Sequence, residues 1–174
     1  LMQLAAVIVG GMLTIAGGFL SSYLLERKKL ELQSRNLALA LRGEVSALLS
    51  IIEDRGYIER MAQVIQQIEQ TQEPFYMPYH TRYSYDRVYG ENVDKIGLLR
   101  EPLPEMVATF YAQVNSLLED MGNLAEGRYS QLGLPLLLRV YREAQRILMN
   151  TTKLGQEIIT EVDRQHQARP RRTQ

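Results

Sequence analysis

The stretch FYMPYHTRYSYDRVYG places Tyr76, Tyr79, Tyr83, Tyr85 and Tyr89, half of the chain's 10 tyrosines, beside His80, Arg82 and Arg87. Aromatic faces interleaved with arginines can grip a peptide, a nucleotide base or a phosphate group, because guanidinium groups stack on rings and bond anions. The same composition suits a long loop laid across a bundle, with rings buried and hydroxyls wet. These residues are the candidate partner or ligand surface.

Catalytic chemistry has little to work with. His80 and His166 lie in different regions, and neither has a second histidine or a carboxylate pair at metal-ligand spacing. Glu53 and Asp54 adjoin, but neighbours on a helix do not share a face and cannot act as a convergent acid and base. Serines occur without a G-x-S-x-G setting, and no phosphate loop or dinucleotide fingerprint is present. Zero cysteine excludes disulfides, thiolate metal sites and cysteine nucleophiles. The residues therefore predict no enzyme, no cofactor and no metal site. The balance of 20 basic against 20 acidic side chains gives no pull toward nucleic acid.

The elements that must position the candidate surface begin with LMQLAAVIVGGMLTIAGGFLSSYLL, Leu1 to Leu25, which carries no charge and is followed at once by Glu26, Arg27, Lys28 and Lys29. Roughly 20 apolar residues in a helix cross a hydrocarbon core about 30 Å thick, so the run predicts a transmembrane helix. A signal peptide would carry its basic cluster on the other side, and a soluble core helix rarely has so long an uncharged run. Arg27, Lys28, Lys29 and Arg35 place the C-terminal part in the cytoplasm and the N-terminus outside. Ala6, Gly10, Thr14, Gly18 and Ser22 stand four apart, a ladder of small residues that lets backbones approach closely in lipid and predicts a homo-oligomer.

About 150 of the 174 residues remain, enough for one helical domain with a core. Leu30, Leu37, Leu41, Val45, Leu48 and Ile52 form an apolar stripe on a helix that continues the membrane segment until Gly56. Ile58, Met61, Ile65 and Ile68 mark a second helix that ends before Pro74. The two prolines of Thr71 to Tyr83 predict a loop, and Ser84 can cap a short helix running to Ile96, with Gly97 in a left-handed turn. Pro102 and Pro104 suit the first turn of the next helix, striped by Leu103, Met106, Val107, Phe110, Val114, Leu117, Met121 and Leu124 and ended by Gly127. The last helix starts between Ser130 and Pro135 and carries Leu137, Tyr141, Ala144, Leu148, Thr151, Leu154, Ile158 and Val162. From Arg164 onward the chain turns polar and basic.

Asn92, Asp94, Lys95, Ile96, Gly97, Leu98, Leu99, Pro104, Phe110 and Tyr111 spell an "N-x-D-K-I-G-L-L … P … F-Y" passage. In that passage the chain resembles bacterial and phage single-pass membrane proteins with a cytoplasmic helical domain. The resemblance implies topology and source, hence a bacterial inner membrane, and carries over no functional residue. From the residues alone, Ile96, Leu98 and Leu99 would plug the bundle where one helix turns into the next.

The expected fold is all-α: a transmembrane helix over residues 1–25, a cytoplasmic antiparallel bundle over 26–163 and a basic flexible tail over 164–174. Two function classes follow. One is a membrane-anchored interaction or scaffold module with a cytoplasmic protein partner; the other is a sensor or effector whose bundle binds a ligand and perturbs the membrane. The small-residue ladder is directly testable in this cysteine-free chain. Single cysteines at Gly10, Thr14 and Gly18 should crosslink in membranes while those at Ile8, Leu13 and Phe19 do not, and Gly18→Leu should lose the dimer. Equal crosslinking at both sets would remove the interface.

Overall fold

No proline interrupts the chain before Pro74, and Gly56 is the first glycine forced to a positive φ, at 57°. One helix therefore runs unbroken to that point. In a computed structural model, which describes residues 2–75, 85–129 and 131–167 with side chains from residue 18 onward, α1 spans Met2–Asp54. Its 53 residues make a rod about 80 Å long. Then come α2 (Tyr57–Thr71), a short α3 (Arg87–Gly90), a 3₁₀ turn (Val93–Leu98), α4 (Leu103–Ala125) and α5 (Leu134–Gln167). The described residues are all helix and connection, without a strand.

The stops follow local chemistry. Gln72 closes α2 in a left-handed conformation, its N–H bonded to the Ile68 carbonyl, two residues before Pro74. Gly127 ends α4 at φ 68°, and the N–H groups of Gly127 and Arg128 reach back to the carbonyls of Leu124 and Asn123. That is the paired closure typical of a glycine-terminated helix. Pro104 sits in the first turn of α4, where a missing N–H costs nothing.

Helix α5 is the shared element, packed against α4, α1 and α2. It runs antiparallel to α1, since Leu49 meets Gly155 and Arg42 meets Asp163. Two apolar cores lie along it. The first gathers Leu41, Val45, Leu103, Val107, Phe110, Tyr111, Ile158 and Val162. The second gathers Met61, Ile68, Leu124, Leu137, Tyr141 and Ala144. A fork of two bonds from Arg42 Nε and Nη2 to Asp163, at 2.7 and 2.8 Å, sets the register of α1 on α5. It also holds the Asp163 carboxyl below the usual carboxylate range. The contribution of this pair is present at neutral pH and lost as the pH falls through that lowered value.

Several expectations are corrected by reach. Leu30 is 46% exposed, because burial on α1 starts only at Leu37. The edge of the bundle is marked by Arg100 bonded to Glu31 and by Gln165 donating to the Glu101 carbonyl. Gly97 is not left-handed; it lies within the 3₁₀ turn, and the chain turns instead at Leu99, which is extended. The single short helix expected through Ile96 is two pieces, and Leu98 stays partly outside while Ile96 and Leu99 plug the core. Helix α5 continues one turn past Asp163, with Arg164 paired to Glu161. Ser84 and residues 168–174 lie outside the described residues. Among the described residues no helix is long and apolar enough to cross a membrane.

Among the described glycines, Gly155 is the one where an added side chain would be most crowded. A Cβ placed there would sit 2.9 Å from the Phe110 ring and 3.0 Å from a Leu49 methyl, so the missing side chain is what lets α1, α4 and α5 touch. Gly155→Val should lower stability by about 1–3 kcal/mol, as overpacking does. Gly43→Ala, in open space on the same rod as Leu49, should raise it by up to about 1 kcal/mol through helix propensity. Urea unfolding followed by circular dichroism distinguishes the two signs.

Candidate functional site

Glu44 lies on α1 beside the buried Leu41 and Val45, and its carboxylate is the fixed point for the chain that returns from α2. It accepts the N–H groups of Val88 and Tyr89 at 2.6 and 3.1 Å and the Tyr111 hydroxyl at 2.5 Å. The first two are first-turn donors of α3, which have no partner within their own helix. Tyr89 stacks on Tyr111 with ring centroids 4.2 Å apart, and Phe110 meets Tyr111 edge-on at 5.2 Å. Burial, and then the Glu44 hydrogen bond, push the Tyr111 hydroxyl far above the ordinary tyrosine range, so it remains a donor. The Glu44 carboxylate thus takes up two backbone donors and one hydroxyl from two other elements.

The candidate surface is thus divided. Tyr89 is engaged in this stack, Tyr85 packs against the first core, and Arg87 turns to solvent in a pair with Glu91 at 3.0 Å. Tyr76, Tyr79, His80, Arg82 and Tyr83 lie outside the described residues. Of the small-residue ladder, the backbone of Ala6, Gly10 and Thr14 is in α1, and their side chains are outside the description; Gly18 and Ser22 are exposed. Glu53 and Asp54 are exposed, with Asp54 bonded to Ser50. His166 donates from Nδ1 to the Val162 carbonyl at 2.7 Å, and its buried Nε2 has no hydrogen-bond partner among the described residues. Among those residues no group of three or more His, Cys, Asp or Glu could hold a metal ion.

A feature absent from the sequence reading lies at the seam of the two cores, where α2 swings away from α1 after Gly56. A cavity of about 560 Å³ opens there. Leu48, Ile51 and Ile52 of α1, Met61 of α2, Val114, Leu117, Leu118 and Met121 of α4, and Leu148 of α5 form its apolar wall. Thr151, fully buried, lies at its deep end; its hydroxyl is within 2.8 Å of the Ile147 carbonyl and 2.9 Å of Gln113 Oε1. Arg55, Tyr57, Arg60 and Tyr85 complete the lining, and exposed Arg55 and Arg60 mark the end that meets water. Arg55 Nη1 donates to the Tyr57 hydroxyl at 2.9 Å. These arginines flank the break between two helices, where helical periodicity assigns no face; their clustering on either side of Gly56 was the one available signal.

Glu44→Ala would strand two backbone N–H groups and the Tyr111 hydroxyl, at a cost of about 3 kcal/mol, whereas Tyr111→Phe removes one bond and should cost about 1 kcal/mol. Urea midpoints of the two variants test this ordering, and equal midpoints would show that the carboxylate does not anchor α3.

Comparison with protein-family models, with curated proteins and with solved structures finds no match to this chain.

Proposed function

We propose that the chain is a membrane-tethered helical interaction module. The uncharged segment of residues 1–25 holds it at the bilayer, and α1 carries the bundle into the cytoplasm, where it is presented to a protein partner. One observation supports the tether above all. Helix α1 extends some 35 residues beyond the start of its buried stripe at Leu37, and this projection exposes Phe19, Leu20, Tyr23, Leu24 and Leu25 in near succession. No element among the described residues covers them. Apolar side chains on every side of a helix are costly in water and are at home in lipid.

The change of character at Glu26, Arg27, Lys28 and Lys29 supports the inward orientation, and Tyr23 stands where interfacial aromatics collect. Self-association through Ala6, Gly10, Thr14, Gly18 and Ser22 belongs to the same proposal. The alternative, a sensor or effector that perturbs the membrane, is favoured by the cavity alone. Leu48, Ile51 and Ile52 are at once its wall and part of the helix that leads into the anchor.

The tether predicts that the full chain stays with membranes through an alkaline carbonate wash and leaves them only in detergent. A C-terminal fusion to alkaline phosphatase, which is active only outside the cytoplasm, should be silent. Release by carbonate would overturn the span, and a strongly active fusion would overturn the orientation.

A further inference from the structure

We infer that the cavity between the two cores binds a single-chain amphiphile with an anionic head, of which a long-chain carboxylate is the simplest form. The inference rests on the ligand-binding part of the sensor alternative and not on any effect of the ligand on the membrane.

Size admits a single chain. At about 560 Å³ the cavity lies within the range of roughly 300–1,000 Å³ usual for small-molecule sites. That is enough for one acyl chain. The walls select hydrocarbon. Leu117, Leu118, Met121 and Leu148 offer no polar atom, and the hydroxyl of Thr151 is already bonded within the fold. The cavity is open at its mouth, so its apolar lining is left to water, and an acyl chain laid along it takes that surface out of water.

The mouth selects the charge. Arg55 and Arg60 lie there with no carboxylate partner among the described residues, whereas Arg42, Arg100 and Arg142, which bridge elements, each face one. No acidic side chain lines the cavity; Glu53, Asp54 and Glu59, close in sequence, stand outside its lining. The bond from Arg55 to the Tyr57 hydroxyl orients its guanidinium and leaves further N–H donors for an anion. A carboxylate at the rim gains charge-assisted bonds from both arginines while its chain leaves water.

Palmitate carrying a diazirine, added to the full chain in lipid nanodiscs and activated by light, tests the site by mass-spectrometric mapping of the label. The label should fall on the segments around Leu117–Met121 and Leu148. Excess palmitate should displace it, and hexadecanol at the same concentration should not. The double variant Arg55→Gln, Arg60→Gln should lower cavity labelling roughly tenfold with an unchanged unfolding midpoint, since both side chains are exposed. Met121→Trp, which fills the apolar wall, should remove the label with both arginines in place. Label confined to residues 1–25, equal displacement by hexadecanol, or full labelling of the double variant would overturn the inference. Cavity labelling without palmitate-induced dye leakage from vesicles would uphold it and remove only the membrane-perturbing alternative.

Discussion

The bundle depends on the absence of one side chain. At Gly155 the backbone of α5 comes within van der Waals reach of Leu49 on α1 and Phe110 on α4, and no residue with a Cβ fits without moving a ring. The contact brings together two helices that make little backbone contact with each other, and the first core forms around it. The Phe110 ring held there is also the edge against which Tyr111 is set. Tyr111 in turn receives Tyr89 on its face and donates to Glu44. A steric allowance on α5 is thus transmitted, through two aromatic contacts, to the segment entering between α2 and α4.

Glu44 gives that segment its second constraint. A carboxylate between an apolar stripe and a short helix is costly unless its lone pairs are used, and here three donors use them. Two of these donors are backbone groups, so the bond specifies a position of the chain and not a residue type. This is why the tyrosine-rich stretch, which by composition looks like a recognition surface, contributes Tyr85 and Tyr89 to the fold.

The cavity is the complement of the same geometry. Helices α1, α4 and α5 are drawn tight around Gly155, while α2, redirected at Gly56, packs on the far half of α5 and builds its own core. Between two centres of packing a seam is left, and the residues facing it come from four helices and the connections at Arg55 and Tyr85. A ligand in the seam would touch the rod on its last turns before Asp54, some way from the projecting apolar stretch yet on the same continuous helix. Any shift of α1 against α5 on binding would be carried along a rigid element, which is the physical basis for linking the cavity to the projecting apolar stretch.

The sequence by itself determined the four long helices and where α1, α2 and α4 stop, because these are local matters. Apolar spacing of three and four placed Val45, Met61, Phe110, Tyr141 and Ile158 inward, and Gly56, Pro74 and Gly127 punctuated the chain through allowed φ values and missing donors. What only the tertiary structure decided was how far each partner reached and which elements met. Leu30 continues the stripe yet stays exposed, since nothing among the described residues extends to cover it. Leu154 was expected inside, but the fully buried position is Gly155, chosen by three helices converging and not by hydrophobicity. Gly97 has the residue type for a left-handed turn and does not make one, because the 3₁₀ turn continues through it and the chain leaves that turn only at the extended Leu99. Glu44, Arg55 and Arg60 carry no periodic or motif signal at all. The partners of Glu44 lie 44 to 67 positions away, and the cavity beside Arg55 and Arg60 is completed by α4 and α5, so a pattern read over neighbouring turns contains no information about them.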